Sequence, residues 1–262
     1  METLSVRQSE ILRWAMKEGR VEVDSLADSF AVSPQTIRKD LNDLCDRNLL
    51  QRVRGGAVAG SSNQNYSYEA RFLMGTEAKE AIGRTVARLI PNSTSLLLNL
   101  GTTVEKVAYA LQEHSGLLVI TNNTHVVNIM KDCRGIQLVI AGGEVRQSDG
   151  GVVGVAAKEF IEQFKVEYAV IGTSGIDRDG TLLDYDFKEV AVAQTIIANA
   201  RKVILATDIS KLDRVAPVRI GTLAQVDTVV IDKPLPEELQ IFCAEHGTEV
   251  VLADRGSSLT GA

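Results

Sequence analysis

The sequence predicts an α/β protein made of two domains, a small helical N-terminal domain and a larger C-terminal domain with a mostly parallel sheet. Residues 1–58 contain three short helical patterns followed by a strand, a glycine turn and a second strand. Residues 77–255 alternate apolar runs with amphipathic helical patterns, which is typical of a parallel sheet covered by helices. We expect residues 59–76, which begin with a Gly/Ser/Asn-rich stretch, to form the linker.

The first two helices are predicted from apolar spacing and from their ends. Apolar residues recur every four positions within 6–18, and Gly19 ends that helix. Asp24 is the expected N-cap of the second helix, on which Leu26 and Phe30 face inward. Both helices therefore present one apolar face to a common core.

The third helix begins at Ser33-Pro34, because serine caps free helical amides and proline fits the first helical position. Ile37, Leu41 and Leu44 form its buried stripe, which leaves a polar face outside. A strand over 49–54 and a turn at the following two glycines predict a wing. Together these elements predict a winged helix-turn-helix with its third helix in the major groove of DNA.

The polar side chains of the third helix and of the wing suit contacts with base edges and phosphates. The expected DNA-binding residues are Ser33, Gln35, Thr36, Arg38, Lys39, Asn42, Arg52 and Arg54. The alternative is a three-helix interaction module with an ordinary solvated face.

Composition sets limits on the class of protein. The formal net charge is −6, yet residues 33–54 hold five basic and three acidic side chains, so a basic edge lies on an acidic body. No apolar run reaches the ~20 residues that cross a bilayer, and the N-terminus lacks a secretory pattern, so we expect a cytoplasmic protein without membrane partners. The three cysteines and three histidines are scattered, and we expect no disulfide framework, metal or other cofactor.

The elements of the C-terminal domain alternate along the chain. The predicted strands cover residues 95–100, 117–121, 136–141, 167–173, 202–207, 226–231 and 249–252. The predicted helices cover residues 77–89, 104–113, 125–131, 156–163, 187–199 and 237–245.

Polar loops follow these strands, and ligands of open α/β sheets bind outside the carboxyl ends of the strands. The first loop is Gly101-Thr102-Thr103, where a flexible backbone, two hydroxyls and the amides of a helix N-terminus suit a phosphate. A tight strand-to-helix turn with a threonine cap is the alternative for this loop taken alone. Several such loops at one edge predict a shared small-molecule pocket.

The third helix carries the run AVSPQTIRKDL at 31–41, and the loops follow in the order GTT, TNN, GGE, DGGVVG, GTSGID and DISK. These motifs resemble those of the DeoR family of bacterial repressors. The resemblance implies a repressor whose effector domain is similar in fold to ribose-5-phosphate isomerase and binds phosphorylated sugars or polyols, with glycerol-3-phosphate favoured. The expected ligand-binding residues are Asn99, Gly101, Thr102, Thr103, Thr121, Asn122, Asn123, Gly142, Gly143, Gly175, Asp184 and Lys211.

The chain departs from the family pattern at three points, of which one is Ser210-Lys211-Leu212 in place of the family's SKF phrase. Asn99 stands where the family usually has an acid, and Ala193-Gln194 stands where a Lys-Arg pair is usual. Because a cationic pair would bind a phosphate strongly, its loss suggests a smaller or differently held effector. Lys211, with Lys188 or Arg146, is then expected to supply the positive charge.

Two other functions stay open at this point. A sugar-phosphate isomerase would need a base beside a carbonyl, for which Asp184, Glu189 and Asp208 are candidates. A DNA-binding protein without an effector is the second. The appended DNA-reading domain favours regulation over catalysis, and helix-turn-helix proteins usually pair on two-fold sites, so we expect a homodimer or homotetramer that binds double-stranded operator DNA.

Overall fold

The computed structural model describes residues 4–47, 49–59 and 65–254. Its contacts divide the chain into two compact units, Met1–Met74 and Gly75–Ala262. The first unit contains, in order, α1 (Val6–Glu18), β1 (Arg20–Glu22), α2 (Val23–Phe30), α3 (Pro34–Asp46), β2 (Leu50–Val53), β3 (Gly56–Ala59) and α4 (Tyr68–Leu73).

The N-terminal unit is the predicted winged helix-turn-helix. Helices α1, α2 and α3 share one apolar core, in which Ile11, Ile37 and Leu41 are fully buried. The three strands form an antiparallel sheet in the order β1-β3-β2, with β2 and β3 as the wing. A Cβ atom on Gly56 would lie 1.9 Å from the carbonyl oxygen of Val21, so only glycine allows β3 to approach β1 this closely.

Two details differ from the sequence prediction. Helix α2 begins at Val23 after Glu22, so Asp24 lies in its first turn instead of at the N-cap. Helix α4 lies inside the stretch 59–76 that was expected to be linker, whereas residues 60–64 lie outside the described part of the chain. Ser67 caps this helix, and Ala70 is fully buried in the N-terminal core. Six residues give too short a pattern to show amphipathic spacing in the sequence.

The second unit is built around a parallel sheet. It contains α5 (Thr76–Leu89), β4 (Ser95–Leu98), α6 (Thr102–Ala110), β5 (Leu117–Thr121), α7 (Thr124–Met130), β6 (Ile136–Ile140), β7 (Glu144–Arg146), β8 (Gly151–Val153), α8 (Val155–Ile161), β9 (Val166–Ile171), β10 (Gly175–Ile176), β11 (Thr181–Asp184), α9 (Phe187–Ala198), β12 (Ala200–Ala206), β13 (Val218–Thr222), β14 (Thr228–Ile231), α10 (Glu237–His246) and β15 (Glu249–Leu252). Two 3-10 helices cover Ile209–Lys211 and Leu223–Gln225.

All seven predicted strands pair in one sheet, in the order β15-β14-β12-β9-β4-β5-β6, and every pairing in it is parallel. Helices cover both faces, because neighbouring strand residues alternate between two cores. Leu97 of β4 packs with α8, α9 and α10, whereas Leu96 and Leu98 pack with α5, α6 and α7. The predicted α/β fold is therefore confirmed.

The sequence did not indicate the smaller sheets of this unit. Strands β7 and β8 form an antiparallel hairpin, and β10, β11 and β13 form a second small sheet. These strands have two to five residues, too few to establish a period. Within the described residues, none of the helices combines the length and the apolar character that a membrane span requires.

Candidate DNA-binding face and effector site

Helix α3 presents its polar face as predicted. Ser33 is the N-cap and accepts a hydrogen bond from the amide of Thr36 at 3.2 Å, while Pro34 occupies the first turn. Because Ile37, Leu41 and Leu44 are fully buried on one side, the side chains of Gln35, Arg38, Lys39 and Asn42 are exposed on the other. A helix with one buried and one polar face is what a major-groove reader needs.

A cleft of about 790 Å³ runs along this face. It is lined by Ser5, Arg7, Gln8, Ser33, Gln35, Thr36, Arg38, Lys39, Asp40 and Asn42. Six of the eight predicted DNA-binding residues are therefore neighbours at one concave surface. The other two, Arg52 on β2 and Arg54 in the wing turn, are exposed, and Arg20 donates to the carbonyl of Arg54 at 3.3 Å.

The start of α1 lines the same cleft, which the sequence did not indicate. Arg7 donates through Nε to Oδ2 of Asp40 at 2.6 Å, and Gln8 donates to Asp43 at 2.8 Å. Ser5 and Gln8 form a capping box at the N-terminus of α1. Two polar contacts thus fix the first turn of α1 against α3.

In the second unit, the expected phosphate loop lies between β4 and α6. Gly101 has φ of 130°, a conformation that favours glycine, and the following Thr102 and Thr103 are buried in the first turn of α6. Lys79 of α5 is buried and donates through Nζ to Oγ1 of Thr102 at 2.9 Å. A buried cation therefore lies beside the amide end of a helix, where negative charge is favoured.

Asp208 and Lys211, in the loop that follows β12, belong to the same cluster. Burial on its own would raise the pKa of Asp208, but Lys211, the Ser210 hydroxyl and Lys79 together hold it below its ordinary value. The carboxylate also accepts hydrogen bonds from the backbone amide and the hydroxyl of Ser210. Lys79, Asp208 and Lys211 thus place two cations and one carboxylate at the carboxyl edge of the sheet.

Three buried polar atoms at this edge have no hydrogen-bond partner in the described structure. They are Oδ1 of Asn99 after β4, Oδ1 of Asn122 after β5 and Oγ1 of Thr207 after β12. Because an unpaired buried polar atom costs roughly 1–3 kcal/mol, such atoms call for an explanation.

Other predicted ligand residues are engaged in holding the fold. The Thr121 hydroxyl donates to the carbonyl of Leu98 at 2.7 Å and accepts from the amide of Asn123. Asn123 caps α7 and donates to Glu105 at 3.4 Å. A Cβ atom on Gly175 would lie 2.1 Å from the carbonyl oxygen of Arg214, so this glycine lets β10 pack against the stretch after Lys211. Gly142 and Gly143 are exposed after β6, the edge strand.

The structure places the other expected cations in ion pairs. Arg146 donates to Asp149, to Asp186 at 2.6 Å and to Glu189 at 2.5 Å, and Lys188 donates to Glu144 at 3.0 Å. Arg146 therefore joins the β7–β8 hairpin to α9 and is surrounded by carboxylates, which corrects the expectation that it supplies charge for an anionic ligand.

The two positions that lack the family's Lys-Arg pair are neighbours on α9, of which Ala193 is buried and Gln194 is exposed. Ala193 is buried in the core beneath α9, and Gln194 donates to the carbonyls of Arg219 and Ile220 on β13, both at 3.2 Å. Gln194 thus ties α9 to the small sheet.

Asp184 and Glu189 form an acidic pair beside Arg146. Burial and then the charge of Asp184 raise the pKa of Glu189 to about 7, against the opposing effect of Arg146. Asp184 is buried and accepts from the amide of Tyr185 at 2.6 Å. Among the described residues, no group of three or more His, Cys, Asp or Glu side chains is placed to hold a metal ion.

Lys79 and Thr207 are the effector-site candidates that were missed in the sequence. Lys79 lies on the buried stripe of α5, at helical spacing from Ile82, Gly83 and Val86. The available signal in the sequence was therefore a lysine on an otherwise apolar stripe. Thr207 directly precedes Asp208, and the rule that ligands bind at strand ends would have included it.

Comparison with known proteins identifies a family for each of the two regions of the chain. The profile of the DeoR-like helix-turn-helix domain matches residues 7–63, and that of the DeoR C terminal sensor domain matches residues 75–233. A glycerol-3-phosphate regulon repressor of Escherichia coli (strain K12) is 42% identical over 94% of this chain and 98% of its own length. One of Haemophilus influenzae is 39% identical over 95% and 97%.

Solved structures are similar to this chain only more distantly. Ribose 5 phosphate isomerase A from Neisseria gonorrhoeae aligns with 53% of this chain and 54% of its own, with a TM-score of 0.38 and 9% sequence identity.

Proposed function

Because the chain belongs to the DeoR family of transcriptional regulators, we propose that it represses transcription by binding operator DNA and that glycerol-3-phosphate releases it. Two relatives that are 42% and 39% identical over nearly the whole chain are repressors of a glycerol-3-phosphate regulon. In this proposal α3 reads base edges, while Arg52 and Arg54 hold the DNA backbone. DNA binding places the protein in the bacterial cytoplasm.

The contact between Lys79 and Thr102 carries the effector half of the proposal. A phosphate dianion at the first turn of α6 accepts from its amides and from the threonine hydroxyls, while Lys79 and Lys211 supply positive charge. Asp208 offsets one of those charges and keeps the lysines in place when no ligand is bound. The positive charge of Lys79 and Lys211 favours a phosphorylated effector over a neutral polyol.

The unpaired oxygens of Asn99 and Asn122, which follow the neighbouring strands β4 and β5, support a polyol attached to that phosphate. Oδ1 of Asn99 and Oδ1 of Asn122 accept hydroxyl donors, and the Thr207 hydroxyl donates or accepts. Asn99 is neutral where the family usually has an acid, so this position does not repel the anion. A three-carbon phosphate offers two hydroxyls for these partners, and a sugar phosphate is the alternative effector of the same class.

Release of DNA requires that the effector binds the conformation without DNA more tightly than the DNA-bound one. We propose that the protein acts as a homodimer or homotetramer, because one reading domain covers few base pairs and helix-turn-helix proteins pair on two-fold sites. A monomer by light scattering, with and without operator DNA, would contradict this assembly.

Calorimetry tests the effector directly. We expect heat of binding with glycerol-3-phosphate and none with glycerol, and a mobility-shift titration should show weaker operator binding only with the former. Heat with pentose or hexose phosphates but none with glycerol-3-phosphate would reject this effector and retain the family assignment. With ribose-5-phosphate we expect no isomerase turnover, because the relatives are regulators.

A further inference from the structure

We infer that Arg7, at the start of α1, binds a phosphate of the DNA backbone and that Asp40 positions it for this contact. This inference rests on the proposed function and adds a contact outside the recognition helix and the wing. Arg7 lines the cleft along α3 together with Arg38 and Lys39, and Asp40 is the one acidic side chain among its lining residues. The lining therefore carries a net positive charge.

The geometry of the Arg7 side chain leaves donors available. Its Nε atom donates to Oδ2 of Asp40 at 2.6 Å, and among the described residues this is the only partner that its guanidinium contacts. The two terminal amino groups, with four N–H donors, therefore have no protein acceptor there. A guanidinium held at one edge by a carboxylate presents its other edge in a fixed direction, which suits bidentate contact with a phosphate.

Burial separates the roles of the two residues. The Asp40 side chain is 9% exposed, so it is enclosed between α1 and α3, whereas the Arg7 side chain is 35% exposed beside the cleft. An arginine that served only to neutralise Asp40 would not need to leave its terminal groups at the concave surface. The second contact between the helices, from Gln8 to Asp43, already holds α1 against α3.

The position of Arg7 also fits the way this fold docks on DNA. The recognition helix α3 enters the major groove, which phosphate backbones border on both sides, and Arg7 lies beside α3 in the same cleft. The first turn of α1 adds the positive end of a helix dipole, capped by Ser5, to the same cleft. A phosphate that flanks the major groove would meet Arg7 while α3 contacts the bases.

The test uses a random-sequence 30-base-pair duplex, because a backbone contact operates on any sequence. Fluorescence anisotropy of the full-length protein, measured from 50 to 250 mM KCl, gives the slope of log K against log salt. Arg7→Gln is expected to reduce the magnitude of that slope by about 0.9 for each reading domain on the duplex, and to weaken binding roughly eight-fold per contact at 0.1 M salt.

Two variants separate the backbone contact from a structural role. Arg7→Lys retains the charge and is expected to keep the wild-type slope. Arg13→Gln removes an exposed arginine of the same helix that does not line the cleft, and is expected to leave both slope and affinity unchanged. A wild-type slope for Arg7→Gln overturns the inference, whatever its affinity or melting temperature. If the wild-type protein shows no salt-dependent DNA binding, the proposed function fails together with it.

Discussion

The side-chain nitrogen of Lys79 lies 2.9 Å from the hydroxyl oxygen of Thr102, and both residues are buried where α5 meets the first turn of α6. A buried lysine is unfavourable unless it is hydrogen-bonded and has negative charge nearby. Asp208 supplies negative charge in the structure described here, and a bound phosphate would supply more. This relationship gives the first of four predictions.

Replacing Lys79 by methionine, which has similar length and no charge, should prevent induction. We expect glycerol-3-phosphate binding to weaken by roughly 1.5–3 kcal/mol, the scale of a hydrogen bond to a charged group, while ligand-free operator binding stays intact. A mobility-shift titration with and without effector should show a repressor that no longer releases DNA. Normal release would show that Lys79 has only a structural role.

Thr102→Ala and Lys211→Ala should each weaken effector binding by roughly 1–3 kcal/mol and leave apo DNA binding unchanged. The reason is loss of one charge-assisted hydrogen bond to the phosphate in each variant. Lys202→Ala is the matched control, because Lys202 is an exposed lysine near the amino end of β12. Calorimetric titrations with glycerol-3-phosphate should show weaker binding for Thr102→Ala and Lys211→Ala than for Lys202→Ala. Equal affinities in all three variants would refute the placement of Thr102 and Lys211 in the effector site.

Arg38→Ala and Arg54→Ala should affect DNA binding in different ways. Arg38 lies on the exposed face of α3, so its loss should cost roughly 1–3 kcal/mol of operator binding and relax specificity if it pairs with a base. Arg54 lies in the wing turn, where it is expected to contact the DNA backbone, so its loss should weaken binding to all sequences similarly and flatten the salt dependence. Anisotropy titrations on operator and random duplexes distinguish these outcomes. Unchanged affinity for both variants would refute the assignment of α3 and the wing as the DNA-binding face.

The stability of the protein should depend on pH through Glu189. Burial and the neighbouring Asp184 raise its pKa from 4.5 to about 7, so the folded state holds this proton more tightly than the unfolded state. The resulting contribution to the free energy of unfolding is complete below about pH 4.5 and is lost as the pH rises to about 7. The free energy of unfolding of Glu189→Gln, relative to that of wild type, should therefore rise as the pH increases from 5 to 8.

Thermal melts across that pH range provide the measurement for Glu189. Glu113→Gln changes an exposed glutamate and serves as the control, with a constant difference from wild type at every pH. A constant difference for Glu189→Gln as well would show that this carboxyl group titrates normally in the folded protein.

How much the sequence predicts depends on the range over which each signal acts. The seven strands of the parallel sheet and the stripe on α3 were predictable because their apolar patterns are local and repeated. Asn122 was predicted as a ligand residue because it directly follows a strand, and Asn99 because the resemblance aligns it with an acid of the family. The role of Arg146 was not predictable, since its carboxylate partners Asp186 and Glu189 lie 40 and 43 positions away. Asp40 is likewise 33 positions from Arg7.

The close approach of Gly56 to the carbonyl of Val21 has a consequence for the evolution and redesign of this protein. Every side chain larger than hydrogen would push β3 away from β1 and displace the wing, so this position must stay glycine for the wing to keep its direction. New operator preferences must therefore arise from substitutions at other positions, above all in the exposed side chains of α3. A library meant to retarget the repressor should randomise those positions and leave the glycine unchanged.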